Sequence, residues 1–296
     1  MAKSVLVTGG AGRLGSAVVR VLCEAGFSVR AVDLRWRRDL PVPVEAADLR
    51  DAVSVYRFLD GCEAVVHLAN HPGPRSGIPP QQLYCDNVAA DMNVFQAAAD
   101  VGAGQLVFAS SVQAFCGTRQ GEEGIGQPSS LPYLPLDGEV PACPGNEYGL
   151  SKEAGEAQLR CFARTGQCPS CAAVRFPLLM MREWLRYFRH RHRGRRRHLE
   201  NLDEAFAYLA VNDAALLVLR ILERPQPGYH QLLPAAPDPQ TDMPIPEIIG
   251  TFYPDVPLKV PAEQMESLVD ISGLERDLGW VPQEVGLLGR DDEGKE

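Results

Sequence analysis

At 296 residues, 45% hydrophobic and 23% charged, the chain has the makeup of a globular protein with room for one large domain or a large one with a smaller companion. No apolar run approaches the ~20 residues of a bilayer span, and a net charge of −9 argues against general nucleic-acid binding. Its eight cysteines are scattered rather than set in a disulfide framework. An amino terminus that runs straight into an apolar strand predicts no signal peptide and a cytoplasmic setting.

Val5, Leu6, Val7 and Thr8 form a β-branched, apolar run that predicts a buried strand, and Ser16 to Leu22 predict a helix. Between them lies a turn with Gly9, Gly10, Ala11, Gly12, Arg13, Leu14 and Gly15. Glycines 10, 12 and 15 fit G-x-G-x-x-G, and Thr8 with glycines 9, 12 and 15 fits T-G-x-x-G-x-x-G. Without Cβ atoms such a turn lets a pyrophosphate approach the backbone, and the new helix offers it N–H groups and a positive dipole end. An ordinary strand–helix turn can also be rich in glycine. Here the turn is answered by Asp33 at the end of the next strand-like run, Ser28 to Val32, which is the setting of a dinucleotide fingerprint. The G-x-x-x-x-G-K-[S/T] arrangement is absent, which argues against an ATPase.

Strand-like and helix-like segments go on alternating. A weak strand at Val42 to Ala46 leads to Asp48 and Leu49, and a helix is predicted from Asp51 to Leu59. A strand from Ala64 to Ala69, a helix from Gln81 to Val101 and a strand from Gln105 to Ser111 come next. A loop rich in proline and glycine fills 117–145, followed by a helix starting near Asn146 and a strand from Ala172 to Phe176. This alternation predicts an α/β, Rossmann-like, doubly wound parallel sheet with a small C-terminal capping region. Ligands in such sheets lie at the carboxyl ends of the strands, which selects residues 9–15, Asp33, Asp48, Ala69, Ser110, Ser111 and the stretch after Phe176.

Beyond Pro177 the pattern loosens. We therefore divide the chain into a dinucleotide-binding domain, 1–177, and a substrate-capping region, 178–296, with 205–223 packing back onto the first. Residues 182–198 hold eight arginines against one glutamate. That run reads as a solvated loop, as a clamp for an anionic substrate or, least well on an acidic chain, as a nucleic-acid patch. Recurrent prolines from 225 to 246 read as loops and short elements, and Leu274 to Leu278 as a short helix stopped by Gly279. Cys168 and Cys171 have C-x-x-C spacing, but no second pair or nearby histidines complete a metal set, so they read as buried or loop thiols and no metal is expected.

Asn146 is a good N-cap and Glu147 suits a first turn, so Tyr148 and Lys152 fall four apart on one helix face. The pair serves equally as surface packing or, beside a nicotinamide, as an acid/base. A free tyrosine titrates near ~10, so a base useful near neutrality needs about 4 kcal/mol of help. An exposed ammonium at ~4 Å supplies only about 1 kcal/mol. Lys152 must then sit in a closed cleft.

Taken together these motifs make the chain resemble the extended short-chain dehydrogenase/reductases, the NAD-dependent epimerase/dehydratase group. The matches are Thr8 to Gly15, Asp33, Asp48 and Leu49, His67 to Ala69, Asn87 with Asn93 to Ala98, Phe108 to Ser111, Tyr148 to Lys152, and Arg175 to Pro177. The resemblance implies that Gly9, Gly12 and Gly15, with Arg13 and Leu14 in the same turn, hold the pyrophosphate. It also implies that Asp33 holds the adenosine ribose, Asp48 and Leu49 flank adenine, and Ala69 lies along the cofactor. Lys152 would hold the nicotinamide ribose and lower the tyrosine pKa, Tyr148 would be the acid/base, and Ser111 would bond the reacting oxygen. Asn87 would orient this network or serve structure alone. Counting back from Gly117 puts Val112 in the serine position, whereas matching the serine pair selects Ser111.

Departures from the family pattern narrow the chemistry. Val112 and Gln113 stand where its dehydratases carry an Asp-Glu pair, and neither exchanges a proton. Dehydration is disfavoured. After Arg175 the run usual in the sugar-nucleotide members is missing. Asp33 suits a free 2′-hydroxyl, so NAD is expected over NADP, although Arg35, Arg37 and Arg38 follow it. These features point to an NAD-dependent oxidoreductase or epimerase acting on a secondary alcohol or ketone of a sugar, sugar acid or nucleotide sugar. The alternative is a catalytically weak sensor or regulatory protein on the same fold. Expected partners are a small-molecule substrate, with an anionic group suggested by the arginine run, and, from the resemblance, a second copy of the chain. Neither nucleic acid nor membrane is expected.

Overall fold

The computed structural model describes residues 2–71, 73, 77–116, 128–181, 202–241 and 243–286. Strand β1 (Ser4–Thr8) turns Val5 and Val7 to one face of the sheet and Leu6 to the other, as the twofold period of a strand requires. It runs through the glycine turn into helix α1 (Arg13–Glu24). Strands β2 (Ser28–Asp33) and β3 (Val44–Ala46) follow, then α2 (Ala52–Leu59), whose N-cap Asp51 accepts from Val53 N. Next come β4 (Ala64–His67), α3 (Pro80–Asp100) and β5 (Gln105–Ser111). Helix α3 opens one residue before the expected Gln81, on a proline whose missing N–H costs nothing in a first turn.

The second half contains α4 (Glu147–Arg164), β6 (Ser170–Phe176), β7 (Leu178–Met180), β8 (Tyr208–Ala210), α5 (Val211–Glu223) and β9 (Gly228–Leu232). Two short helices, α6 (Ile245–Phe252) and α7 (Ser272–Leu278), complete the described chain, and α7 stops at Gly279 with φ 61°.

Seven parallel strands form one sheet in the order β3-β2-β1-β4-β5-β6-β9, and β7 pairs with β8 in a separate two-stranded sheet. The connection reverses direction between β1 and β4, which opens a crevice above their carboxyl ends. Helices α1 and α5 cover one face, bringing Val18, Leu22, Leu217 and Val218 against Val5 and Val7. Helices α2, α3 and α4 cover the other, bringing Phe58, Phe95 and Phe162 against Leu6, Val65 and Phe108. With both faces covered, β4 and β6 are buried along their whole length, hence the apolar stretches Ala64 to Val66 and Cys171 to Val174.

The chain crosses the expected division at residue 177 more than once. Strand β9 lies in the stretch expected to hold loops and short elements, yet it completes the main sheet beside β6. Its flanking prolines hid it, although they fall outside its ladder. Leu209 and the apolar face of α5 join the α1 side of the core, as do Leu274 and Trp280. A third cluster, with Leu134, Phe206, Phe252 and Leu268, forms the cap. The arginine run at 182–198 lies outside the described residues.

Candidate active site

The glycine turn is built around contacts that only glycine permits. Gly9 has φ +69°, and a Cβ on Gly15 would sit 2.0 Å from the Gly9 carbonyl oxygen. Close packing of the turn against itself puts the start of α1 directly over the end of β1. Gly12 is its N-cap and provides no side-chain cap, so the first N–H groups face the crevice. Asp33, at the end of the neighbouring strand, accepts from Ala11 N (3.1 Å) and Arg35 N (2.9 Å), which fixes its carboxylate beside the turn. Asp48 is held by Arg50 at 2.7 Å, and the guanidinium keeps its carboxyl below the usual range. Leu49 beside it is buried. Arg13 reaches across to the Leu179 carbonyl at 3.2 Å.

One cleft of about 510 Å³ is lined by Gly9, residues 12–15, Asp33, Asp48, Leu49, Ala69, Ser111, Tyr148 and Lys152. The residues that the sequence assigns to the cofactor and to the Ser-Tyr-Lys set therefore meet in a single crevice, of the size typical for small-molecule sites. The cradle that Cβ atoms would fill, the uncapped helix start and the fixed carboxylate fit an extended dinucleotide.

The other end of the cleft is set by α4. Asn146 Oδ1 accepts from Gly149 N at 2.8 Å, starting the helix so that Tyr148 and Lys152 face the cleft. Lys152 is buried, and its Nζ donates to the Ala109 carbonyl (2.6 Å) and to Asn70 Oδ1. Burial pulls its pKa down to about 8, against the pull of the Asp91 and Glu156 carboxylates. Tyr148 departs from expectation. Burial pushes its phenol up to about 12; the bond to Ser111 opposes this, while Asp91 and Glu204 add to it. In the protein alone, loss of hydration outweighs the ammonium nearby.

The two serines part company. Ser110 donates to Glu156 Oε1 at 2.5 Å, and Arg175 grips that same carboxylate through two bonds of 2.7 and 2.6 Å. Both charged partners are buried, so Ser110 belongs to an internal ion pair. Ser111 is the hydroxyl that meets Tyr148, and it accepts from Gln113 N at 3.2 Å. Val112 is buried in the cap cluster. Asn87 accepts from His71 N (2.8 Å) and donates to Ser151 (3.1 Å), tying the loop after β4 to α4.

Sequence reasoning missed Asn70, Asp91 and Glu204. Gln113 Nε2 donates to Glu204, and its Oε1 accepts from Asn146 Nδ2 at 2.7 Å. Glu204 is buried, and its pKa is pushed up to about 7 by that burial, with Asp203 adding to the rise and Gln113 opposing it. The next two residues, Ala205 and Phe206, have φ of 51° and 52°, a left-handed conformation that costs about 1–2 kcal/mol for each non-glycine residue. Phe206 is held there by rings of Phe252 and Tyr253. Cys168 and Cys171 are buried thiols outside the lining of this cleft. Among the described residues no helix is long and apolar enough to cross a membrane.

A switch-point cleft with a glycine cradle and a tyrosine–lysine helix defines a dinucleotide-binding protein of the short-chain dehydrogenase/reductase type. The profile of the NAD dependent epimerase/dehydratase family matches residues 5–232, and the chain belongs to that family. A NAD-dependent glucose-6-phosphate dehydrogenase of Haloferax volcanii is 32% identical over 163 residues, 53% of this chain and 61% of that one. A uronate dehydrogenase of Agrobacterium fabrum is 32% identical over 54% of this chain and 56% of its own, and a UDP-glucose 4-epimerase of Azospirillum brasilense 31% identical over 53% and 43%. The matched stretch thus spans about half of these relatives. Among solved structures, a UDP-galactose 4-epimerase superposes with a TM-score of 0.66 at 24% identity, covering 96% of this chain and 95% of its own. MoeE5 in complex with UDP-glucuronic acid and NAD superposes with 0.69 at 20% identity, covering 97% and 96%. These likenesses show the fold.

Proposed function

We propose that the protein is an NAD-dependent epimerase or dehydrogenase that acts on a secondary alcohol or ketone of a sugar, sugar acid or nucleotide sugar. The observation that carries this reading is the meeting of Ser111, Tyr148 and Lys152 in the same cleft as the glycine turn and Asp33. Gly9, Gly12 and Gly15 would hold the pyrophosphate, Asp33 the adenosine ribose, and Lys152 the nicotinamide ribose. When bound, the cofactor supplies the hydride acceptor or donor, and its positive ring favours the phenolate. Tyr148 takes the hydroxyl proton of the substrate, or returns it in the opposite direction, while Ser111 holds the reacting oxygen by a hydrogen bond.

Bringing a phenol from about 12 to neutrality needs roughly 7 kcal/mol, more than Lys152 supplies alone. Turnover is therefore tied to the ternary complex. Dehydration stays disfavoured because Val112 and Gln113 carry no exchangeable acid proton. The exposed Met92 on α3 and Leu150 on α4 support pairing of two chains through these helices.

The deciding experiment mixes purified protein with NAD or NADP and a panel of sugars, sugar acids and nucleotide sugars, following nicotinamide absorbance and epimer formation. Activity with NAD that Tyr148→Phe reduces about 10²-fold or more is expected. Tight cofactor binding without turnover across the panel, unchanged by that substitution, would refute the enzyme.

A further inference from the structure

Beneath the cleft a buried chain of hydrogen bonds runs from β1 to Lys152. Thr8 Oγ1 accepts from Leu68 N (3.1 Å) and Ala69 N (3.3 Å), which occupies both of its lone pairs. Its own proton therefore goes to His67 Nδ1, 2.6 Å away. The ring proton then stands on Nε2, which donates to Asp91 Oδ1 at 2.9 Å. Asn70 Nδ2 donates to the same oxygen at 2.9 Å, so the carbonyl end of that amide points the other way, to Lys152 Nζ. Each link sets the direction of the next.

The space around Asp91 is kept for a carboxylate. Across the α3–α4 contact a Cβ on Gly155 would lie 2.6 Å from Asp91 Oδ2. That oxygen is buried and accepts no hydrogen bond among the described residues, a costly state for a carboxylate unless a cation stands close by.

The groups facing Lys152 can be named. Its own helix contributes Tyr148 and Glu156, α3 contributes Asp91, and β5 contributes the Ala109 carbonyl and the Phe108 ring, 4.8 Å from Nζ. Among the described residues His67 of β4 is linked to it through Asp91 and Asn70, and Glu204 lies on the Tyr148 side. Glu156 is already matched by Arg175 of β6. The remaining counter-charge is Asp91.

We propose that Asp91 is a positioning residue of the active site: it supplies the negative charge that keeps Lys152 an ammonium in a buried cleft and, through Asn70, fixes the direction in which that ammonium is held. This rests on the reading of Lys152 as part of the cofactor site. The same charge acts against ionisation of Tyr148, so the network favours a protonated lysine and a protonated tyrosine until cofactor arrives.

The chain has only four lysines, at 3, 152, 259 and 295, so ¹³Cε-lysine NMR resolves each titration, with Lys152 assigned by its loss in Lys152→Arg. Asp91→Asn keeps the shape and an oxygen acceptor for His67 and Asn70 but removes the charge. The Lys152 midpoint is expected to fall by about one pH unit or more, with the other lysines unmoved. An unchanged midpoint in folded Asp91→Asn overturns the proposal. Should that variant not fold, ¹⁵N spectra of the wild-type histidines decide: the proton of His67, assigned through Phe95 and Phe108, must be on Nε2, and a proton on Nδ1 breaks the chain. Neither measurement uses turnover, so failure of the Tyr148→Phe test would sink the functional reading while leaving this one standing.

Discussion

Replacing Gly15 by alanine tests the cradle most sharply. The new Cβ would lie 2.0 Å from the Gly9 oxygen, 2.8 Å from the Gly9 carbonyl carbon and 2.9 Å from Gly10 Cα. Carbon and oxygen seldom approach closer than about 3.3 Å, so the contact must open by about 1 Å. All three atoms are backbone, and no rotamer relieves them. The start of α1 has to move away from β1, taking its N–H groups away from the place proposed for the pyrophosphate. Overpacking of this kind costs about 1–3 kcal/mol of stability. A displacement near 1 Å in a positioned site costs on the order of 100-fold, here expected in NAD affinity. Isothermal titration with NAD and thermal unfolding read the two effects separately. Gly26→Ala is the control: its φ of +84° makes the substitution strained by about 1–2 kcal/mol, yet nothing lies within 4 Å of the new Cβ. It should melt earlier and bind NAD unchanged. A folded Gly15→Ala protein that binds NAD as tightly as its parent would refute the reasoning.

The serines and the buried glutamate give the remaining predictions. Ser111→Ala should lower turnover about 10²-fold or more with little change in stability, whereas Ser110→Ala should leave turnover in place and cost about 1.5–3 kcal/mol in urea melts; the reverse pattern would mean the serine assignment is wrong. Glu204 titrates at about 7 when folded against an ordinary value of 4.5, so the folded state holds its proton more tightly. The stability this contributes is complete below about 4.5 and is lost as pH rises to about 7, roughly 3 kcal/mol at most. Glu204→Gln should remove that slope in melts taken across the window; a slope equal to that of the wild type would show that the carboxylate is ionised throughout.

The parts of the site that could be read in advance are local. The glycine turn, Asp33 and the Asn146-capped helix each declare themselves within a few residues, through backbone conformation, strand endings and helix spacing. The strand–helix alternation likewise announces a parallel sheet, because both faces of each central strand must be apolar. What stayed hidden is made by residues far apart in the chain. Nothing near Ser110 or Ser111 says that Glu156, 46 residues on, claims the first. Asp91 reads as one polar residue on a long helix until β4 brings His67 to it, and Glu204 follows an arginine-rich stretch that carries no periodic signal. Strand β9 was hidden locally: prolines flank it, and its residues, all half-buried at the sheet edge, lack the apolar run that marked its neighbours.

Gln113 bears on how this site could change over time. Its side-chain amide donates to Glu204 and accepts from Asn146, while its backbone carbonyl oxygen lies where a Cβ on Gly149 would come within 2.1 Å. A carboxylate at 113 could keep the bond from Asn146 but would turn a donor into a second acid against Glu204. An acid installed here by one substitution would face Glu204 directly, so one of the two carboxyls would have to keep its proton. The position resembles a latched door between two neighbouring chemistries, with Glu204 as the catch.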